Sequence, residues 1–474
     1  MAQDIFQMSE QYEEYLIDES KFTGSADSIS FPESEEEMID ILNTLMAEGT
    51  VVTVQGGKTG IVGGAVPKGG HIMNLSHMSK ILDASVNDDG TGSITVQPGI
   101  NLMDLRKAIR NHFRKEELFW PPDPTETSAS IGGIVASGAQ GTSRLLYGSS
   151  KKYIEKLRVL DTQGNVSEIN RTSKIELSDG RQIDQIDTVF GKEGITGIIS
   201  ELTLRLVKKP EEEWVIAFFF EQENDAAEFI DGLKEELPQA DKASIASVEF
   251  IDRNSIDLIE ARKATMTKIK ELPDIREEIM AMVYIEIHGS EVGVEEIAEM
   301  LMEAAIEHGS DPDEAWAVSS ETDVEKLHAF RHGAAETTNL FIEESHQNDK
   351  RITKLGTDMV IGERTFSQVL DRYKESIQEA GLKGCIFGHA LENHLHVNLL
   401  PKNYEDYLKG KQLIRKWAEE ADTEDSQIIG EHGIGKLKQE ILEDAISKSY
   451  INLCKELKKK MDKDGRLNQG NIFQ

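Results

Sequence analysis

Cysteine is nearly missing from this 474-residue chain: only Cys385 and Cys454 occur. They make no CxxC pair, so neither a disulfide framework nor an iron–sulfur cluster can be built from them. Long apolar runs are missing too. WVIAFFF at 214–220 is the densest, well short of the ~18 residues that suggest a membrane span, and it suits a buried strand. Basic residues are scarce, with 52 Lys and Arg against 86 Asp and Glu and a formal net charge of −34. Such a field repels phosphate backbones and anionic lipids, which argues against a nucleic-acid partner. It also means that an anionic substrate needs local Arg, Lys or a bound cation. The acidic start MAQDIFQMSEQYEEYLIDES is no signal or transit peptide, so the expected address is cytoplasmic, or peripheral to the inner membrane face, without a transmembrane span. There is no internal repeat and no low-complexity tract.

Glycine, by contrast, is abundant at 38 residues, and 38% of the chain is hydrophobic. Both suit a loop-rich globular enzyme, and the length suggests two or three domains at roughly 100–200 residues each. Ser34 and Glu37 form a capping-box pattern ahead of apolar residues at helical spacing, and Gly49 ends that helix. VVTV (51–54) reads as a short buried strand, SITVQPGI (93–100) has strand character and NLMDLRKAIRNHF (101–113) helix character. A hairpin is expected around Gln163-Gly164. Pro210 and the following acidic run mark a boundary. The expected division is 1–210, 211–425 and a C-terminal segment 426–474 containing a helix at about 446–461.

The VVTV strand runs into QGGKTGIVGG, with five glycines between 56 and 64. The P-loop pattern fails because Val52 stands where its first glycine belongs, and the Rossmann spacing GxGxxG fails as well. What remains is a loop whose backbone N–H groups can turn inward and let a diphosphate approach, or else a flexible surface turn. A second glycine-rich stretch, SIGGIVASGAQG (130–141), favours a long ligand held at several points.

GHALENHLHVN (388–398) concentrates three of the chain's 12 histidines. Read as a strand, its His394, His396 and Asn398 face one way and Leu395, Val397 and Leu399 the other. Two or three imidazoles with a carboxylate suit Zn²⁺, Fe²⁺ or Mn²⁺. From the pattern alone, a metal site and a hydrogen-bonded core face stand level. GEHGIGK (430–436) adds Glu431 and His432, adjacent and bracketed by glycines. Arg331 falls on an expected helix and Lys354 on an expected strand, as candidate cations for a carboxylate.

Taken in order, VVTVQGGKTGIVGGAVP, ITVQPGI, FWPPDPTETSASIGGIVASGAQGTSRLLYGSS, FGKEGITGIISELTLRL, GHALENHLHVN, GEHGIGK and LNQGNIF resemble the FAD-linked oxidases of the vanillyl-alcohol-oxidase type. Within these, the chain is most similar to the D-2-hydroxyacid dehydrogenases acting on D-lactate, glycolate or D-2-hydroxyglutarate. The resemblance implies an α+β fold: an FAD-binding domain of the PCMH type, a substrate or cap domain with an antiparallel sheet, and a C-terminal segment that completes the active site and packs on the FAD domain. By position, Gln55, Gly56, Gly57, Lys58, Thr59, Gly60, Gly63 and Gly64 match the first flavin loop. Pro122, Asp123, Ser130, Gly133, Gly138, Arg144 and Tyr147 match the second region, and Glu193, Gly194 and Ile199 the third. Lys58-Thr59 stands where some relatives attach FAD through a His, so noncovalent FAD is expected. SGAQG replaces a TNAGG-like run.

The resemblance also implies a divalent metal on His389, His396 and Glu431, with His432 as base, Arg331 and Lys354 for the substrate carboxylate, and Asn398 in the catalytic set. The usual motif GHxGDGNxHxN is altered here to Leu391, Glu392, Asn393 and His394 at its middle positions, so His394 either replaces a ligand or merely lines the pocket. Ala335 stands where some relatives carry Thr. The implied reaction is oxidation of a D-2-hydroxy acid, D-lactate first, to the 2-oxo acid. The electrons would pass to a quinone, a cytochrome, an electron-transferring flavoprotein or an iron–sulfur subunit rather than NAD. A homodimer is compatible with this reading. The alternatives are a metal-dependent hydrolase, or an FAD-binding subunit without an active site of its own.

Overall fold

Local chemistry sets the first helix. Ser34 Oγ accepts the Glu37 N–H at 3.2 Å, Glu35–Glu48 coils, and Gly49 stops it at φ +78°. The expected capping box forms only by half, because the Glu37 carboxylate reaches back to the Glu33 N–H at 2.8 Å instead of to Ser34. The computed structural model describes residues 5–421, 426–442 and 445–474, and the chain falls into two units. The expected boundary at 425 touches residues 422–425, outside those described.

The first unit comprises 1–141, 148–209 and 431–474. Its smaller sheet joins β1 (Ile5–Gln7), β2 (Ser28–Ser30), β3 (Val52–Gln55) and β4 (His71–Asn74) in the order β1-β2-β4-β3, the last three parallel. The helix Glu35–Glu48 lays Met38, Ile41, Leu42 and Leu45 on a core with Val52, Met73 and Leu467. Buried His71 links β2 to β4, its ring nitrogens 2.8 and 2.7 Å from the Ser28 and Ser30 hydroxyls, and burial pushes its pKa down to about 4. The larger sheet is antiparallel, ordered β5 (Ile81–Val86), β6 (Gly92–Val96), β12 (Ile198–Lys208), β8 (Ile154–Leu160) and β9 (Val166–Asn170). Between these in sequence, β7 (Leu118–Phe119) pairs with β12, and β10 (Lys174–Glu176) pairs with β11 (Gln182–Asp184). The β8–β9 hairpin turns with Gly164 at φ +83°, as its sequence suggests.

The second unit, 142–147 and 210–430, is built on one six-stranded antiparallel sheet. It joins β13 (Glu212–Phe220), β14 (Ala243–Asp252), β15 (Ala281–Gly289), β16 (Trp316–Val318), β17 (Gly384–His389) and β18 (His394–Leu399) in the order β16-β13-β15-β14-β17-β18. WVIAFFF lies in β13 and is buried from Val215 to Phe220, because both faces of the sheet are covered. On one face Val215, Ala217, Phe219, Ile251, Met282, Tyr284 and Phe387 pack against Leu327, Phe330 and Ala334 of the long helix Glu321–Asn348. Lys354 is not on a strand. Residues 352–361 run beside β18 with scattered bridges, Gly356 to Asn398 and Val360 to His394, rather than a continuous ladder. Among the described residues no helix is long and apolar enough to cross a membrane.

Candidate active site

The β18 alternation holds. His394, His396 and Asn398 share a face with their register partners on β17, His389, Phe387 and Cys385. All three β18 residues and His389 are buried, so the polar face is internal. Ring centroids lie 5.3 Å apart for His389 and His394, 5.8 Å for His389 and His396, and 4.8 Å for His394 and His396. One ligand-capable nitrogen from each ring falls within 4.8 Å of the others.

Two buried carboxylates stand behind these rings, and the sequence reading named neither. Glu249, directly across from His389 on β14, accepts at 2.5 Å from His389 Nδ1 and at 2.6 Å from Arg331 Nε, while Arg331 Nη2 closes on the same carboxylate. Burial alone would raise the Glu249 pKa, but Arg331 and His389 overcome it and hold the carboxyl down near about 2. With Nδ1 committed, Nε2 is the nitrogen His389 can offer to an ion, the usual division of labour for a carboxylate-backed metal ligand. Asp358 does the same for His394, its Oδ1 lying 3.0 Å from Nε2. The Gly430 N–H binds the Asp358 carbonyl at 2.7 Å, and a Cβ on Gly430 would sit 2.5 Å from His394 Nε2, so no side chain fits there. Glu249 had a visible signal in the sequence: it lies inside IASVEFI, and a carboxylate within an apolar strand is costly unless paired.

Arg331 is therefore a partner of Glu249 on two of its nitrogens, rather than an open clamp. Lys354 Nζ is held by the Asn339 side chain, and Asn398 Nδ2 donates to the His396 carbonyl at 3.2 Å. Within this unit Arg144 pairs with Glu392 at 3.4 Å, and Tyr147 Oη lies 2.7 Å from His288 Nδ1.

In the first unit the two glycine-rich stretches meet. A Cβ on Gly56 would fall 1.9 Å from Ser130 Oγ, and one on Gly57 2.7 Å from the Ser128 carbonyl, so bare backbone is required at both. The Gln55 amide braces the loop by donating to Tyr15 O and Ala65 O at 2.8 and 2.7 Å. Lys58, at φ +60°, turns its ammonium onto the Tyr15 ring and Glu14 O, while Gly63 adopts φ +75°. Thr59 and Gly60 lie in the same loop. Pro122 is buried, and Asp123 pairs with Arg106 against Gly141. Ser130 caps Ile131–Ser137 through the Gly133 N–H, and Gly138 ends it at φ +75°. Glu193 is an anchor: its carboxylate accepts the Ile434 and Gly435 N–H groups at 2.6 and 2.8 Å, fixing the turn after His432. Gly194 O accepts from Asn468 at 2.9 Å, and Ile199 lies in β12. His432 Nε2 is 3.4 Å from Glu431 Oε1.

Residues 26–170 match the model of an FAD binding domain, and residues 209–472 that of the C-terminal domain of FAD linked oxidases. The chain belongs to the FAD-linked oxidases. It is 27% identical over 459 residues to the glycolate oxidase subunit GlcD of Bacillus subtilis (strain 168), covering 96% of this chain and 90% of that protein. It is also 27% identical over 470 residues to a D-lactate dehydrogenase of Anaerostipes hadrus, covering 97% and 92%. Among solved structures, p-cresol methylhydroxylase shares the fold, with a TM-score of 0.73 at 14% identity over 99% of this chain and 93% of that one. The expected α+β architecture with a PCMH-type FAD-binding domain is thus the one found, and this oxidoreductase is a flavoprotein. Bare backbone at Gly56 and Gly57 fits the close approach of a dinucleotide.

Proposed function

We propose that this FAD-linked oxidase converts a D-2-hydroxy acid to the 2-oxo acid, with D-lactate as first substrate and glycolate and D-2-hydroxyglutarate behind it. The observation that carries the reading is the buried histidine face of β17 and β18, backed by Glu249 and Asp358, in a chain that matches both FAD-linked domains. FAD would be held noncovalently by the 55–64 loop and the 122–141 region. A divalent Zn, Fe or Mn ion would be held by His389, His396 and Glu431. Glu431 directly follows Gly430, whose N–H binds the Asp358 carbonyl. When bound, FAD supplies the two-electron acceptor and the ion supplies a Lewis acid.

The chain's own residues do the rest. His432 takes the hydroxyl proton as general base. The carboxylate is received by Arg331 Nη1, since Nε and Nη2 serve Glu249, and by Lys354. Asn398 keeps the His396 backbone in place. Ala335 offers no hydrogen bond to a second carboxylate, which favours a monocarboxylate. Two cysteines are too few to ligate an iron–sulfur cluster, so electrons would leave to an external quinone, cytochrome, electron-transferring flavoprotein or iron–sulfur subunit. A hydrolase would leave the FAD-domain match without purpose. Anaerobic mixing of the yellow protein with D- and L-lactate, glycolate and D-2-hydroxyglutarate tests the reading. Bleaching of the flavin by D-lactate and not L-lactate is expected, and an unchanged spectrum with every acid would overturn it.

A further inference from the structure

The His394 ring carries a buried nitrogen that the described residues leave unexplained. It is fully buried, and its Nε2 is bound to the equally buried Asp358. Its Nδ1 has no hydrogen-bond partner among the described residues. An orphaned ring nitrogen at zero exposure is costly, and such groups usually mark a missing ion or solvent molecule. His394 is also the register partner of His389 and the nearer ring to His396, at 4.8 Å between centroids. The carboxylate pattern points the same way. Glu249 takes one nitrogen of His389, and Asp358 takes one nitrogen of His394. For His394 this leaves Nδ1 as the nitrogen able to ligate, with the tautomer fixed from behind.

We infer that His394 is a third imidazole ligand, so that this chain presents a three-histidine face to its divalent ion, with Asp358 as the positioning residue for His394. The idea rests on the metal reading proposed above, yet can fail separately from it. A face of three neutral imidazoles contributes no charge, so the ion keeps more of its positive field for an anionic substrate than it would with additional carboxylates. It also favours Zn²⁺, Fe²⁺, Co²⁺ or Cu²⁺ over Mg²⁺ or Ca²⁺.

The test uses the full-length flavoprotein stripped of metal and titrated with Co²⁺ and Cu²⁺ against a chromophoric chelator, followed by pulsed EPR of the Cu²⁺ form to count coupled imidazoles. Three imidazoles are expected in the wild type and two in H394N, with metal affinity lower by about tenfold or more in H394N. D358N should retain three imidazoles but bind about 10–100-fold more weakly. The wild-type count requires no variant to fold, so it decides the matter by itself. Two imidazoles in the wild type, or unchanged affinity in a folded H394N, would overturn the third ligand and leave the metal reading intact. A wild-type protein that takes up neither ion would overturn both.

Discussion

Two carboxylate–imidazole clusters sit on one face of the second unit's sheet, and they differ in what the carboxylate is tied to. Glu249 on β14 and Glu286 on β15 are both buried. Glu249 is shared between one imidazole, His389, and the permanent cation Arg331. Glu286 is shared among Ser143 at 3.1 Å, Ser247 at 3.5 Å, His288 at 2.6 Å and His328 at 3.6 Å, with no arginine among the described residues. His288 spends both ring nitrogens within its cluster, Nε2 on Glu286 and Nδ1 on Tyr147. In the first arrangement the carboxylate engages one nitrogen of its imidazole, and in the second both nitrogens of His288 face groups of the cluster. Similar parts therefore give an arginine-backed carboxylate on one imidazole in one place and a clasp, holding the short helix Arg144–Tyr147 to the sheet, in the other.

The sharpest way to break this comparison is E249Q. It should leave Arg331 buried without its carboxylate, destabilising the fold by about 3–5 kcal/mol, and weaken divalent-metal binding about 10–100-fold. Adding R331M should restore most of the melting temperature but not the metal affinity. If the double variant binds metal like the wild type, Glu249 serves only to neutralise Arg331. E286Q is the matched control. Its histidine partners can shed their protons, so the loss should be smaller, about 1–3 kcal/mol, with metal affinity and flavin content unchanged.

The pH dependence separates the clusters further. Burial lowers the His288 pKa, but Glu286 more than reverses this, so His288 titrates above its ordinary 6.5. Its contribution is complete below 6.5 and is lost as pH rises through the raised value. Burial raises and His288 lowers Glu286, which ends well below 4.5, so its contribution holds above 4.5 and fades only in stronger acid. Glu249, held down to about 2 first by Arg331, which never titrates, and then by His389, keeps the Arg331 part of its contribution across neutral and alkaline pH. Amide exchange should therefore quicken on raising pH from 6 to 9 around 144–147 and 286–288, after correction for intrinsic rates, more than around 248–250. Equal change at both would refute the distinction. The smallest expected effect is Y147F, which removes one hydrogen bond to His288 worth about 1 kcal/mol and should leave the flavin spectrum unaltered. A shifted spectrum would place Tyr147 against the flavin, as its sequence position suggested.

These contrasts also show what the sequence could carry. The alternation of NHLHVNLL, the Ser34 and Gly49 helix ends and the two glycine-rich stretches are local signals, and all appear where their residues suggest. Glu249 and Asp358 act on histidines 140 and 36 residues away, so their roles exist only once distant segments come together. Lys354 failed as a strand residue because its segment meets β18 through isolated bridges, which no local pattern encodes. Arg331 was legible as a candidate cation for a carboxylate, but its engagement by Glu249 was not.

The most direct test of the central claim is anaerobic reduction of the bound flavin by D-lactate before and after exhaustive chelation, with FAD content measured in both samples. Rapid bleaching that is lost on chelation at unchanged FAD content, and returns on adding back Zn²⁺, Fe²⁺ or Mn²⁺, is the predicted result. Bleaching at the same rate in the metal-stripped protein would contradict it.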